Sequence, residues 1–120
     1  MKNDKKLNNI IEALGKHEDE SAIAVLGNIG TNCPDDEVRR LTAKALVKRN
    51  SPESLAVIIS NEGKGINDLS TNVAMSTINE ILSLKNKETA LKVLDETENN
   101  HENQNIRETA SSLKALMNFD

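Results

Sequence analysis

The residues that could do chemistry are few in this chain, and they lie far apart. The two histidines, His17 and His101, stand in different polar segments, without cysteine or carboxylate at the spacing that metal sites use. The single cysteine, Cys33, precedes a proline, and no natural partner base stands near it to activate a thiol. We therefore expect solvent-exposed histidines in turns, a half-buried structural cysteine, no metal site and no cofactor.

Two other motifs have local explanations. The GKG at residues 63–65 lacks the four residues between glycines and the Lys-Ser or Lys-Thr end of a phosphate-binding Walker loop. We interpret it as a flexible connector, because glycine permits positive φ. The acidic clusters at residues 18–20 and 35–37 stand where helices are expected to begin, and capping explains both. We assign no catalytic residue and expect no enzyme activity.

The segment from Asp35 to Ile59 predicts a helical hairpin. Asp35 suits the N-cap of its first helix, and Asn50 suits the turn that ends it. Ser51 and Pro52 then have the residue types expected at the start of a second helix. One apolar stripe of the first helix consists of Val38, Leu41, Thr42, Ala45 and Leu46.

Weaker copies of this hairpin recur along the chain. Equivalent dipeptides are Glu20-Ser21, Glu53-Ser54 and Glu88-Thr89, spaced by 33 and 35 residues. The first helix of the chain aligns with the first helix of the hairpin at an offset of 32 residues, which places Ile10 and Leu14 inward. The helix that follows the hairpin aligns with the same helix at an offset of 36. Residues 1–120 are thus predicted to form one domain of seven helices, with Leu14, Leu46 and Leu82 in equivalent core positions.

The central segment resembles the HEAT-like repeat. Along the chain, that repeat has an Asp cap followed by Val-Arg, then an Ala-rich turn and Ala-Leu. After a short break it continues with Pro-Glu and a Leu/Ile pair. The matching residues are Asp35, Val38, Arg39, Ala43, Ala45, Leu46, Pro52, Glu53, Leu55, Ile58 and Ile59. With the repeat spacing, the resemblance implies an all-α fold, a short right-handed α-solenoid of helical hairpins. Tetratricopeptide repeats have a similar period, but their aromatic positions are unoccupied here; an ordinary helical bundle is the alternative.

The resemblance also implies a partner-binding concave face. In HEAT-like proteins the second helix of each pair lines that face. Transferred in register, the face consists of Asn8, Glu12 and Lys16, then Glu37, Arg40, Lys44 and Lys48, then Val73, Ser76, Glu80 and Leu84. Helical spacing independently places Arg40, Lys44 and Lys48 in one row. The predicted face has a basic centre, acidic flanks and an exposed apolar end; the alternative is an ordinary solvated helix face.

Two arginines have a different expected role. Arg39 and Arg107 each follow the apolar residue that opens a helix. In the family this arginine pairs with acids of the adjacent repeat. We therefore interpret both as structural residues that hold neighbouring repeats in register.

Charge and aromatic content favour a protein-binding function over two other classes of function. The formal net charge is −4 and no tryptophan or tyrosine is present. Two alternatives are kept. One is a nucleic-acid-binding protein like the HEAT-like alkylpurine DNA glycosylases, against which the charge and the lack of tryptophan argue. The other is a subunit related to HEAT-like bilin lyases, against which the lack of aromatic residues to cradle a tetrapyrrole argues. No apolar run is long enough to cross a bilayer and no signal-peptide region stands at the N-terminus, so we expect a cytoplasmic protein. The favoured function is a non-enzymatic adaptor or scaffold that binds another protein through an acidic segment of that protein.

Overall fold

The structure, a computed structural model, describes residues 5–33, 35–61 and 65–118. Within these ranges the chain forms seven α-helices and no β-strand, which confirms the predicted all-α class and helix number for this part of the sequence. The helices are α1 (Lys5–Lys16), α2 (Ser21–Asn32), α3 (Asp36–Arg49), α4 (Pro52–Ile59), α5 (Thr71–Leu82), α6 (Glu88–Asn100) and α7 (Gln104–Met117), with a 3-10 helix at Ile66–Asp68. In the described ranges none of the helices combines the length and apolar character needed to cross a membrane.

Side-chain caps set the limits of α3 and α4. The Asp35 carboxylate accepts a 2.9 Å hydrogen bond from the backbone N–H of Glu37 and so caps α3. Asn50 ends the helix in the left-handed conformation, with φ of 53°, which asparagine tolerates better than most residues. Ser51 and Ser54 then form a reciprocal capping box at the start of α4. The predicted hairpin of residues 35–59 is therefore present with its predicted caps.

The helices pack against next-but-one neighbours as well as against consecutive ones, and the most extensive contact joins α6 and α7. Among the odd-numbered helices α1 contacts α3, α3 contacts α5, and α5 contacts α7; among the even-numbered ones α2 contacts α4 and α4 contacts α6. Helix α3 also contacts α2 and α4, so it packs against four of the other helices. The molecule measures 39 × 26 × 26 Å along its principal axes.

The described core is aliphatic, with threonine hydroxyls among the apolar side chains. The Oγ1 hydroxyls of Thr42, Thr77 and Thr97 donate to carbonyl oxygens of their own helices at 2.7–2.9 Å. These bonds satisfy the hydroxyls, so that burial of three polar side chains does not leave an unpaired donor. Buried large apolar side chains include Leu26, Val47, Leu55, Ile81, Leu94 and Leu113.

The buried residues of α5 show that one predicted site residue is not exposed. Val73, predicted to be exposed on the concave face, is 2% exposed. The buried equivalents are Val38 and Val73, Thr42 and Thr77, and Leu46 and Ile81. The offset between the two helices is thus one residue shorter than predicted, and Ile81 rather than Leu82 takes the position of Leu46. Leu82 is only half-buried, although it packs against the core.

Helix α1 is attached to the core along a narrow stripe. Ile11 is 2% exposed, and Leu7 and Leu14 are half-buried against the core. Ile10, predicted to point inward, is instead 51% exposed. Helix α1 packs on α2 and α3, and those contacts cover only the edge that carries Ile11. The predicted inward position of Ile10 is therefore wrong.

The connection before α5 depends on one glycine in an unexpected way. Residues 63 and 64 of the GKG motif lie outside the described residues. Gly65 has φ of −84°, so it does not use the positive φ that we expected of it. A Cβ atom there would lie 2.8 Å from the carbonyl oxygens of both Ile58 and Asn61. Close approach of the backbone to the end of α4, rather than flexibility, requires glycine at this position.

Candidate partner-binding groove

The predicted partner-binding residues of α1 and α3 line a single groove. Its volume is about 420 Å³, and it runs between the two helices. Helix α1 contributes Asn8, Glu12 and Lys16, which recur at every fourth residue and so share one face. Helix α3 contributes Lys44 and Lys48 by the same spacing. The structure thus brings together these five predicted residues.

The floor of the groove is aliphatic. It contains Ile11 of α1 and Leu41 and Ala45 of α3. A Cβ atom built on Gly15 would lie 3.0 Å from the Cβ of Ala45, so the two helices are close together at this point. Small side chains at the crossing allow that approach, and they leave an open depression above it. Ala45 and Leu41 are half-exposed there, which is consistent with a surface groove rather than the closed core.

Two lysines of the rim have no counter-ion. In the described part of the chain, the side chains of Lys44 and Lys48 make neither an ion pair nor a hydrogen bond. Lys16, on the opposite rim, pairs with Glu12 at 3.2 Å. Both members of that pair are more than two-thirds exposed, so their attraction is weak and easily exchanged. The groove therefore has a positive rim on its α3 side.

Arg40 does not belong to this rim, although the sequence predicted it there. Its guanidinium holds the Glu37 carboxylate through two bonds, of 2.5 Å and 3.2 Å. The hydrogen bond to Glu37 raises the pKa of Arg40, and the charge of Glu80 acts in the same direction. Correspondingly, the hydrogen bond from Arg40 lowers the pKa of the Glu37 carboxyl. The predicted row of three cations is thus divided into one compensated arginine and two free lysines.

The predicted residues of α5 and of the turn after it lie outside the groove. Ser76 and Glu80 are half-buried, and Leu84 is half-buried against the core. The exposed apolar side chain on α5 is that of Met75, which is 59% exposed. With the corrected offset, Met75 occupies the position that Arg40 has on α3. An alignment on Val38 and Val73 would have identified it from the sequence.

Arg39 and Arg107 bond the turns that precede their own helices. The Arg39 Nε donates to the carbonyl oxygen of Cys33 at 2.8 Å. The Arg107 Nη1 donates to the carbonyl oxygens of His101 and Glu102, at 2.6 Å and 3.0 Å. Each arginine thus reaches back six residues and fixes the chain that enters its helix. Among the described residues Arg107 makes no ion pair, and the bonds that it does make lie within its own turn.

Two adjacent residues at the end of α3 contribute links between neighbouring helix pairs. The Nδ2 of Asn50 donates to the carbonyl oxygen of Asn86, in the turn between α5 and α6, at 3.0 Å. The guanidinium of Arg49 reaches in the other direction, to the end of α1 and the turn after it. Its acceptors are the carbonyl oxygens of Leu14, His17, Glu18 and Asp19. The sequence analysis did not identify this role of Arg49.

The histidines and the cysteine have structural surroundings. In both His17 and His101 the Nδ1 accepts from the backbone N–H two residues later. His101 is half-buried, contrary to our expectation, and its Nε2 lies 2.6 Å from the carbonyl oxygen of Ser60, to which it donates because Nδ1 accepts. Cys33 is half-buried against the core. In the ranges that the structure describes, His, Cys, Asp and Glu side chains do not assemble into a group that could hold a metal ion.

Comparison with known proteins adds no analogy for this site. No family model, curated protein or solved structure matches the chain. The groove between α1 and α3 combines a cavity, an aliphatic floor and cations without counter-ions.

Proposed function

We propose that this chain is a non-enzymatic protein–protein interaction module, a small adaptor or regulatory subunit that binds a partner through the face of α1 and α3. The observation that carries the proposal is the pair of lysines, Lys44 and Lys48, beside an open aliphatic groove. A positive rim without counter-ions attracts an acidic segment of another protein and speeds the encounter at low salt. The aliphatic floor supplies the apolar area that holds a protein partner after the encounter.

We also propose that the helices form a short right-handed α-solenoid of HEAT-like hairpins. Contacts between next-but-one helices in both the odd and the even set support this arrangement. Helices α3 and α7 moreover begin alike: Asp35 and Asn103 cap them, and Arg39 and Arg107 each donate to a carbonyl oxygen six residues earlier. In such a solenoid the odd-numbered helices share one face, on which the groove between α1 and α3 lies.

The test of this function is a pair of charge-reversal variants. One carries Lys44→Glu and Lys48→Glu, and the other carries Lys85→Glu and Lys92→Glu, which lie outside the groove and change the net charge equally. The two variants and the wild type each carry an affinity tag and are used to capture partners from extracts of the cells that naturally produce this protein. The captured proteins are quantified by mass spectrometry. Circular dichroism verifies that each variant is folded.

We expect the main partner to be captured by the wild type and by the Lys85/Lys92 variant, and to be lost from the Lys44/Lys48 variant. The loss should be largest at low salt, since salt screens exposed charges. Equal capture by both variants at the same salt concentration would show that the row is an ordinary solvated face and would refute the proposed function.

A further inference from the structure

We infer that the groove between α1 and α3 takes a helical, acidic segment of the partner that seats aliphatic side chains on the groove floor. This inference rests on the proposed function and names the chemistry of the segment that is bound. It is supported by the apolar floor, the spacing of the lysines and the distribution of charge between the two rims.

The floor selects aliphatic side chains. Ile11, Leu41, Ala45 and Gly15 present carbon atoms there. Burial of a leucine or isoleucine side chain on such a surface is favourable, whereas a serine or asparagine side chain would lose water without gaining a polar partner from these side chains. The volume, about 420 Å³, lies within the range of roughly 300–1,000 Å³ that is usual for binding pockets, so there is room for more than one such side chain.

The lysine spacing matches a helix. Lys44 and Lys48 are four residues apart on α3, so they lie about one helical turn from each other. Two carboxylates four residues apart on a bound helix have the same separation. An acidic helix aligned along α3 can therefore place one carboxylate at each lysine while its adjacent apolar face covers Leu41 and Ala45.

The charges on the α1 rim determine on which side of the groove the carboxylates of the bound helix lie. Glu12 and Lys16 pair with each other on that rim at 3.2 Å, so the rim has no net charge that would attract a carboxylate. The lysines of α3, in contrast, have no counter-ion in the described part of the chain. The acidic stripe of the bound helix accordingly lies against α3, and its less charged side lies against α1.

The experiment uses synthetic fluorescein-labelled peptides with the full chain, measured by fluorescence anisotropy. The parent peptide is a short lactam-stapled helix with glutamates four residues apart and leucines on the adjacent face. A second peptide has serine in place of each leucine, and a third has lysine in place of each glutamate. The proteins are the wild type, the Lys44→Glu/Lys48→Glu variant and, as the matched control, the Lys85→Glu/Lys92→Glu variant.

We expect the parent peptide to bind the wild type and the control variant with the same Kd. Replacement of leucine by serine should raise the Kd by about tenfold or more, because the apolar contact is lost. The Lys44→Glu/Lys48→Glu variant should bind the parent peptide at least about tenfold more weakly, and it should bind the lysine peptide better than the wild type does. An Arg40→Gln variant should bind the parent peptide as the wild type does, because Glu37 already compensates Arg40.

Absence of binding by the parent peptide, or equal binding by the serine peptide, overturns the inference of an aliphatic anchor. Duplex DNA with the same charge as the parent peptide is added as a competitor of that peptide. If the DNA displaces the peptide as well as unlabelled peptide does, the inference is also overturned, since the groove would then bind any polyanion. In either case the proposed function still stands if capture of the cellular partner depends on Lys44 and Lys48. If that capture is unchanged in the Lys44→Glu/Lys48→Glu variant, the proposed function itself is wrong.

Discussion

Arg49 stands in the last turn of α3 and directs its guanidinium at the carbonyl end of α1 and at the turn that follows it. The last carbonyl groups of a helix have no partners within the helix, and they form the negative end of its dipole. Arg49 donates to one of these, the carbonyl oxygen of Leu14, and to three carbonyl oxygens of the turn after α1, while α3 holds it in place. Arg49 is half-buried, so water competes less for these bonds than on an open surface.

We predict that Arg49→Ala lowers the free energy of unfolding by about 2–3 kcal/mol, because hydrogen bonds from a charged donor to these acceptors are lost. Arg49→Lys should lower it by about 1–2 kcal/mol, since an ammonium group keeps the charge but not the planar fork. Urea denaturation followed by circular dichroism measures both. Lys48→Ala is the control: that side chain is exposed and makes no ion pair or hydrogen bond, so its effect should stay within about 0.5 kcal/mol. Identical urea midpoints for Arg49→Ala and the wild type would contradict the assigned role.

The contrast between Arg49 and Asp35 shows what a sequence can predict at the residue scale. The cap at Asp35 depends on a backbone N–H two residues away, so local chemistry is enough to predict it. The acceptors of Arg49 are 30 to 35 residues away, and they come within reach only after α1 has packed on α3. The lysines of the groove were predictable because helical spacing alone places them in a row, whereas the compensation of Arg40 by Glu37 depends on side-chain conformation.

At the scale of elements, a small ionic cluster joins α6 to α7. The ammonium group of Lys114 lies 2.7 Å from Asp95 and 3.1 Å from Glu98. Its hydrogen bond lowers the pKa of Asp95, and hydrogen bonds from Ser111 and then Lys114 lower that of Glu98. The hydrogen bonds to Asp95 and Glu98 raise the pKa of Lys114 in turn. A carboxyl whose pKa is lower in the folded state releases its proton more readily there, so it stabilises the fold above its usual pKa and loses that effect as pH falls.

We predict that the cluster makes the difference in stability between the wild type and Lys114→Met depend on pH. The difference in thermal midpoint should be present above the usual carboxyl pKa values, 3.8 and 4.5, and should shrink as pH falls through and below them. On the alkaline side it should persist until pH exceeds the usual lysine value, 10.5, because the folded-state pKa of Lys114 is raised. Lys92→Met is the control, since Lys92 lies 3.9 Å from Glu88 in a largely exposed pair. A difference that stays constant into strong acid would contradict the prediction.

The position of α5 shows the limit of prediction at this scale. Periodicity indicated the helix correctly, and in the structure Val73, Thr77 and Ile81, which recur every four residues, are its buried side chains. The offset from α3 was wrong by one residue, since it was set by matching letters such as Leu82 to Leu46. A 3-10 helix over Ile66–Asp68 precedes α5 and helps to set where it begins. The sequence shows no signal for that short helix, and the alignment of Leu82 with Leu46 put Ser76 rather than Met75 at the exposed position equivalent to Arg40.

At the scale of the whole molecule, α3 and α1 differ sharply in how they are held. Helix α3 contacts α1, α2, α4 and α5, and five of its side chains are buried. Helix α1 contributes one fully buried apolar side chain, that of Ile11. Local opening requires less energy where fewer apolar contacts are broken. The two helices should therefore exchange their backbone hydrogens at different rates.

We predict that hydrogen–deuterium exchange, measured by mass spectrometry, is slowest in α3 and clearly faster in α1. The variant Leu46→Ala removes a side chain that is 2% exposed, and it should lower the free energy of unfolding by about 2–5 kcal/mol. Exchange in α3 should accelerate in this variant, because its slowest amides exchange through global unfolding. Exchange in α1 should change much less, since it already proceeds through local opening. Equal protection of α1 and α3 in the wild type would contradict this picture.

In mechanical terms, Arg49 and Asn50 connect α3 to the turns on its two sides. Adjacent in the chain, they tie α3 to opposite neighbours: Arg49 to the turn after α1, and Asn50 to the turn before α6. The first tie is made by a cation that bonds several carbonyl groups, whereas the second is one neutral hydrogen bond, worth about 1 kcal/mol. At this edge a bending load therefore separates the α5–α6 turn from α3 before it separates the α1–α2 turn.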